Sequence, residues 1–361
     1  MITLVKRPEP SKLAGVFAPV VALLVTFIAC AILFAILDRD PWEALRVLFW
    51  DPLFDETMAS FTRPQLLVKA APIILIALGL SFGFQAGIWN IGAEGQYIMG
   101  AIAATSVGLV CYGTSFPYIF LLMGLAGIAG GVAWAMIPAL LRVRFGANEI
   151  LVSLMLVYVA IQFLAAMVTG PMKSPTAMGF PETRSFRDFP PAFNGELISN
   201  TGLHWGVVAA LLTAIAAHAI QKHHLFGFQI RVLGLAPKAA RLSGIEPTRM
   251  VVLCLALSGG LAGLAGFYEA SGPTAKLTTD FPSGYGFTAI IVAFLGRLNP
   301  IGIVFAGLVL ALTIIGGELA QLMLNIPAAA VLVIQGMLLF FLLAADVLVR
   351  YRFVLHPVGV G

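Results

Sequence analysis

Residues 14–37 run for 24 positions without a charged side chain. As a helix that is about 36 Å, enough to cross a hydrocarbon layer of about 30 Å. Further uncharged blocks of this kind follow along the chain. They are continuous rather than spaced at helical or strand intervals, so they do not read as the buried faces of a soluble fold. Composition closes that alternative: 60% of the 361 residues are apolar and 11% are charged, against about 25% charged in ordinary soluble domains. Too few polar side chains remain to coat a soluble core of this size, so lipid is the medium around most of the chain.

Ten spans are expected, at 14–37, 66–86, 94–111, 117–141, 148–170, 203–221, 249–270, 285–296, 300–320 and 327–349. The eighth is too short to cross alone, and neighbouring residues are expected to complete it. The first reads as a retained span with a cytoplasmic N-terminus, because no small-x-small cleavage site follows Lys6, Arg7 and Lys12. With that placement the connections alternate, and thirteen of the 21 Lys and Arg fall inside, the bias that cytoplasmic loops carry. Both termini are then cytoplasmic. The chain reads as one all-α polytopic domain over 1–361, with external loops at 38–65 and 171–201 and a basic cytoplasmic segment at 222–248. The second external loop holds interspersed aromatics and is expected to be ordered.

Spans two to five begin from outside and spans seven to ten from inside. Each set has a Gly-rich interruption after its first helix, GLSFGFQAGIWNIGAEG in one and GLAGFYEASGP in the other. Opposed units broken at matching positions are one way transport folds build a central path. Glycines at 124, 127, 130 and 131, and at 259, 263 and 266, form small-residue faces for close helix packing, either within the chain or across a dimer seam. Trp42, Trp50 and Trp205 suit interfacial belts. Cys30, Cys111 and Cys254 lie singly in apolar blocks, which fits neither a disulfide framework nor a metal site.

No lysine follows a glycine, so the chain holds no Gly-Lys-Ser/Thr phosphate loop and is not expected to hydrolyse ATP. The G-x-G-x-x-A at Gly284–Ala289 follows no strand and is discounted as a nucleotide fingerprint. The five histidines show no metal spacing. Polar residues at membrane depth carry more weight, because a charge there costs about 2.5–3.5 kcal/mol on insertion scales and faces protein or water. Asn90, Glu94 and Gln96 stand in such a segment, beside Trp89. One reading is a broken segment lining a solute path; the other is a cytoplasmic turn with a solvated Glu94. Glu269 and Tyr268, and Glu318 and Gln321, close the seventh and ninth spans. They either meet solute at an outer mouth or reach for water as interface residues.

The stretch Gly87–Ala101, GIWNIGAEGQYIMGA, resembles the signature of the permeases that serve branched-chain amino acids, ribose-type sugars and nucleosides in ATP-binding-cassette importers. Its Asn-Ile-Gly-Ala-Glu-Gly-Gln core is most similar to the nucleoside branch, which works with basic-membrane-protein-type binding lipoproteins. The likeness continues through the 171–201 loop, RVLGLAPKAARLSGI and YGFTAIIVAFLGRLNPIGIVFAGL. It implies a type II importer-like permease of a bacterial cytoplasmic (inner) membrane, surrounded by lipid and with no nucleic-acid polymer as partner. It implies three further partners: a second permease that is a shorter paralogue, a cytoplasmic ATPase that binds the ATP, and an extracytoplasmic solute-binding protein. No cofactor belongs to the chain itself.

Pro237 is placed to start a short helix that stops at Gly244. The resemblance makes this the coupling helix, with Gly234, Pro237, Lys238, Ala239, Ala240, Arg241 and Gly244 presented to the ATPase. A basic helix resting on anionic lipid is the other reading. Importers of simple sugars or branched-chain amino acids remain as alternatives. An ion-coupled secondary transporter would want ionisable residues mid-span, and spans one, four, five and six have none. A membrane enzyme on lipid substrates would want clustered Asp and His, and the one acidic cluster is external and irregular.

Overall fold

The computed structural model describes residues 2–6 and 12–355, with side chains described for 20–338, 340, 341, 344 and 345. Arg7 and His356 lie outside the described residues. The helices in chain order are α1 (Lys12–Ile36), α2 (Pro41–Leu45), α3 (Asp51–Phe54), α4 (Ala59–Gln85), α5 (Ala93–Val110), α6 (Ile119–Phe145) and α7 (Glu149–Thr169). There follow α8 (Trp205–His223), α9 (Leu225–Leu235), α10 (Pro237–Leu242), α11 (Pro247–Ser271), α12 (Tyr285–Leu295), α13 (Pro300–Leu324) and α14 (Ala328–Arg350). Each of the ten expected spans coincides with one of these helices. Six of them, α4, α6, α7, α8, α11 and α13, are long and apolar enough to cross a membrane.

Helix α12 departs from expectation. Neighbouring residues do not lengthen it: residues 272–284 before it are not helical, and after Leu295 the chain turns at 296–299 before α13. Eleven residues give about 16 Å, half a hydrocarbon core. Arg297 and Leu298 both hold positive φ in that turn, a conformation that side chains with a Cβ disfavour. The Gln85 amide steadies the turn by donating to the Leu298 carbonyl at 2.7 Å. The all-α reading also needs one addition: Ile2–Lys6 (β1) pairs antiparallel with Tyr351–Leu355 (β2), Ile2 opposite Leu355.

The chain divides into two compact units, residues 63–311 and residues 1–62 with 312–361. In the larger unit α5, α6 and α11 are packed backbone to backbone. A Cβ on Gly131 would stand 2.1 Å from the Gly259 carbonyl, and one on Gly263 would stand 2.2 Å from the Gly127 carbonyl. The glycine faces therefore pack within this chain, and this settles the choice the sequence left open. The segment after α7 is ordered as expected. Phe186, Phe189 and Ala192 are buried against Ala104, Ile119, Met123 and Phe267. Its backbone is laced to the stretch after α11 by Thr183 N–H to the Leu277 carbonyl at 3.0 Å and Phe186 N–H to the Ala275 carbonyl at 2.8 Å.

In the smaller unit α1 and α14 pack together, and Cys30, Phe34, Val47, Leu48, Ala320 and Ile334 form the core. The 38–58 segment is not loop but short helical turns. Asp40 caps α2 by accepting from Trp42 N–H at 2.8 Å, and Asp51 pairs with Arg46 at 3.0 Å. Trp42 and Trp50 are exposed, as belt residues are.

Candidate functional site

The first candidate is the interruption between α4 and α5. Helix α4 ends because Gly87 takes φ +72°. Ile88 N–H then reaches back to the Gly83 carbonyl at 2.8 Å, the closure that a left-handed residue allows. The chain runs unwound to Gly92 and re-enters helix at Ala93. That leaves Asn90, Glu94 and Gln96 to find partners inside the protein, since all three are 1–2% exposed.

Asn90 and Gln96 exchange both amide bonds: Asn90 Nδ2 donates to Gln96 Oε1 at 2.8 Å, and Gln96 Nε2 donates to Asn90 Oδ1 at 3.0 Å. Asn90 also donates to Ser258 Oγ of α11 at 2.9 Å and accepts from Gly92 N–H at 3.1 Å. This amide pair staples the unwound segment to two helices. A buried polar group without such partners would cost about 1–3 kcal/mol.

Glu94 does something different. Its carboxylate accepts Gly284 N–H on Oε1 at 2.9 Å and Gly286 N–H on Oε2 at 2.6 Å. These are the orphan donors at the start of α12, where an anion is favoured by the helix dipole. Gly284 holds φ +74° and a Cβ on Gly286 would lie 2.2 Å from Glu94 N, so only glycines let the backbone come this close. The G-x-G-x-x-A run thus wraps a carboxylate of its own chain. The solvated turn is ruled out, because Glu94 is 1% exposed.

Trp89 behaves unlike its neighbours: it is 38% exposed and forms a three-ring cluster with Phe84 at 5.1 Å and Phe294 at 5.7 Å, which stack on each other at 5.2 Å. Glu269 is buried on α11 within electrostatic reach of Lys69 on α4. Tyr97, on α5 with Glu94, is fully buried and stacks on Phe281 at 5.0 Å. Its hydroxyl has no hydrogen-bond partner among the described residues. Sequence reading missed Tyr97 and Ser258, and saw the two glycines only as a discounted nucleotide fingerprint. Ser258 had a visible signal as a hydroxyl in the middle of an apolar span. Glu318, by contrast, is exposed.

The second candidate is α10. Pro237 stands at its first turn and Gly244, at φ +80°, closes it with Ile245 N–H on the Ala240 carbonyl at 3.0 Å. Lys238, Ala239 and Arg241 are exposed, Leu242 is 92% exposed and Leu235 is 87% exposed, while Ala240 alone faces inward. Gly234 is fixed by contact, since a Cβ there would stand 2.0 Å from the Gln85 carbonyl. The result is a short basic helix with bare Leu242, beside bare Leu235 at the end of α9, held at a fixed place on the bundle.

A bundle of long apolar helices, with polar groups buried at an interrupted segment and charge gathered on an exposed short helix, is that of a multi-pass membrane protein. The chain belongs to the family described as branched-chain amino acid transport system / permease component, whose pattern matches residues 63–343. It is similar to a glucose ABC transporter permease protein of Haloferax volcanii, 33% identical over 96% of this chain and 92% of the relative. It is similar to a guanosine ABC transporter permease protein of Bacillus subtilis, 27% identical over 94% of this chain and 96% of the relative. A nucleoside ABC transporter permease protein of Lactococcus lactis subsp. cremoris is 28% identical over 92% of each.

Proposed function

We propose that this chain is the permease of an ATP-driven importer for nucleosides, forming one half of the solute path in a bacterial cytoplasmic membrane. The observation that carries the reading is α10 with the end of α9: an exposed basic helix bearing bare Leu242, next to bare Leu235 at the end of α9, which is fixed to the bundle at Gly234, in a member of an importer permease family. Two bare leucines among cations suit a cleft of a cytosolic partner, and the ATPase is that partner. A second, shorter permease completes the path. A binding protein docks on 38–65 and 171–201. The ten long or broken helices are spans, and the pairing of β1 with β2 supports both ends lying on one side, in this reading the cytoplasmic one.

In this reading ATP binding moves α10 and the motion reaches the unwound segment. Trp89, Asn90, Glu94, Gln96 and Glu269 then face the path in turn. The nucleoside relatives support the solute class. The glucose permease, with the higher identity, favours a hexose as second reading. Reconstituted vesicles holding both permeases, the ATPase and the binding protein test this: ATP-dependent guanosine uptake that survives collapse of ion gradients is expected. Uptake that follows a proton or sodium gradient without the ATPase would overturn it.

A further inference from the structure

A cavity of about 400 Å3 stands where the last turns of α4 and α8 meet α9 and the 296–300 turn, and its charge is all of one sign. Lys222, Arg231 and Arg297 line it with three positive charges, His218 adds a ring, and none of the lining residues is acidic. Like charges gathered at one opening repel one another. Among the described residues no carboxylate pairs with His218, Lys222 or Arg231 to relieve that repulsion.

The amides in the wall are engaged elsewhere. Gln85 donates to the Leu298 carbonyl at 2.7 Å, and Gln221 donates to Ser81 Oγ at 2.9 Å. Asn299 caps α13, its Oδ1 accepting Ile301 N–H at 3.0 Å. Arg231 donates from one nitrogen to the Gln221 carbonyl. That bond pins the guanidinium at the wall and leaves further donors of its five. A fixed, cationic, donor-rich opening suits a phosphate group.

Helix α8 shows what the phosphate is attached to. Leu211, Ile215, His218 and Lys222 follow at intervals of four, three and four, so they share one stripe along the helix. Leu211 is 47% and Ile215 67% exposed, on a helix long and apolar enough to cross a membrane. The stripe is bare and apolar until it reaches the cavity, and polar and basic once there. A ligand that matches both parts has a hydrocarbon tail and an anionic head. With no carboxylate in the wall to meet a choline or ethanolamine cation, the head carries net negative charge.

We propose that this cavity holds the phosphate of an anionic glycerophospholipid whose acyl chain lies along Leu211 and Ile215 of α8. Lys222, Arg231 and Arg297 surround the phosphate, the arrangement by which basic pockets between spans hold lipid headgroups. The site goes beyond the importer reading and stands without it.

The test titrates the full chain, in neutral detergent, with phosphatidylglycerol, phosphatidylcholine or inorganic phosphate, and reads apparent affinity from the thermal unfolding midpoint. Phosphatidylglycerol is expected to protect at concentrations at least tenfold below phosphatidylcholine. His218→Gln with Lys222→Gln removes a ring and a cation from the wall. Asn299→Asp keeps the oxygen that caps α13 while bringing a carboxylate to the cavity, so it tests the site without disturbing the fold. Each is expected to weaken phosphatidylglycerol binding by about fivefold or more, the worth of one cation at a membrane surface. Arg144→Gln, which removes an exposed cation at the end of α6, is expected to leave it within about twofold. Equal protection by both lipids, or a phosphatidylglycerol affinity that neither cavity variant lowers, would overturn the site. A loss as large in Arg144→Gln would overturn it in favour of general surface charge. Protection by inorganic phosphate that phosphatidylglycerol does not match would overturn the lipid and leave a free phosphate as the occupant.

Discussion

At the scale of single residues, the interior is held by a few polar groups whose partners lie far off in sequence. Glu94 reaches across 190 positions to Gly284 and 192 to Gly286. Its position in a signature-like run was visible in the sequence; its partner was not, because the two glycines read as punctuation without a carboxylate beside them. Removing the carboxylate strands two N–H donors, Gly286 buried and Gly284 half-buried. Glu94→Ala is expected to destabilise the detergent-solubilised protein by about 2–6 kcal/mol, from about 1–3 kcal/mol per unsatisfied group. Glu94→Gln, with one oxygen still accepting, should fall between it and the unaltered chain in a thermal unfolding series. Equal stability for all three would show that α12 does not need Glu94.

At the scale of elements, glycine placement decides which helices touch. The stripes on α6 and α11 were legible as packing faces, yet a stripe does not say what covers it. Here each covers the other, with Gly131 against Gly259 and Gly263 against Gly127. Gly263→Val must push backbone against backbone and is expected to cost at least about 1–3 kcal/mol, the usual penalty of overpacking. Gly336→Ala on α14 meets nothing within 4 Å and should instead stabilise by up to about 1 kcal/mol. A paired thermal-shift measurement separates them.

At the scale of the whole molecule, α10 is the element whose surface has no use within the chain. Lys238→Glu with Arg241→Glu reverses its charge without touching the inward Ala240. Uptake and solute-stimulated ATP hydrolysis are expected to fall at least tenfold, while insertion and folding of the chain persist; unchanged coupling would move the partner surface elsewhere. The sequence by itself determined that lipid surrounds the chain, that ten helical segments fall where uncharged blocks fall, and that Pro237 and Gly244 bracket a short helix. Those features are local, set by hydropathy over one helix length and by backbone sterics at single residues. Only the tertiary structure decided that the glycine faces meet within the chain, that Glu94 is buried on the start of α12, and that a buried His204 caps α8. Each of those depends on which distant groups are brought within hydrogen-bond reach, and no local pattern records that.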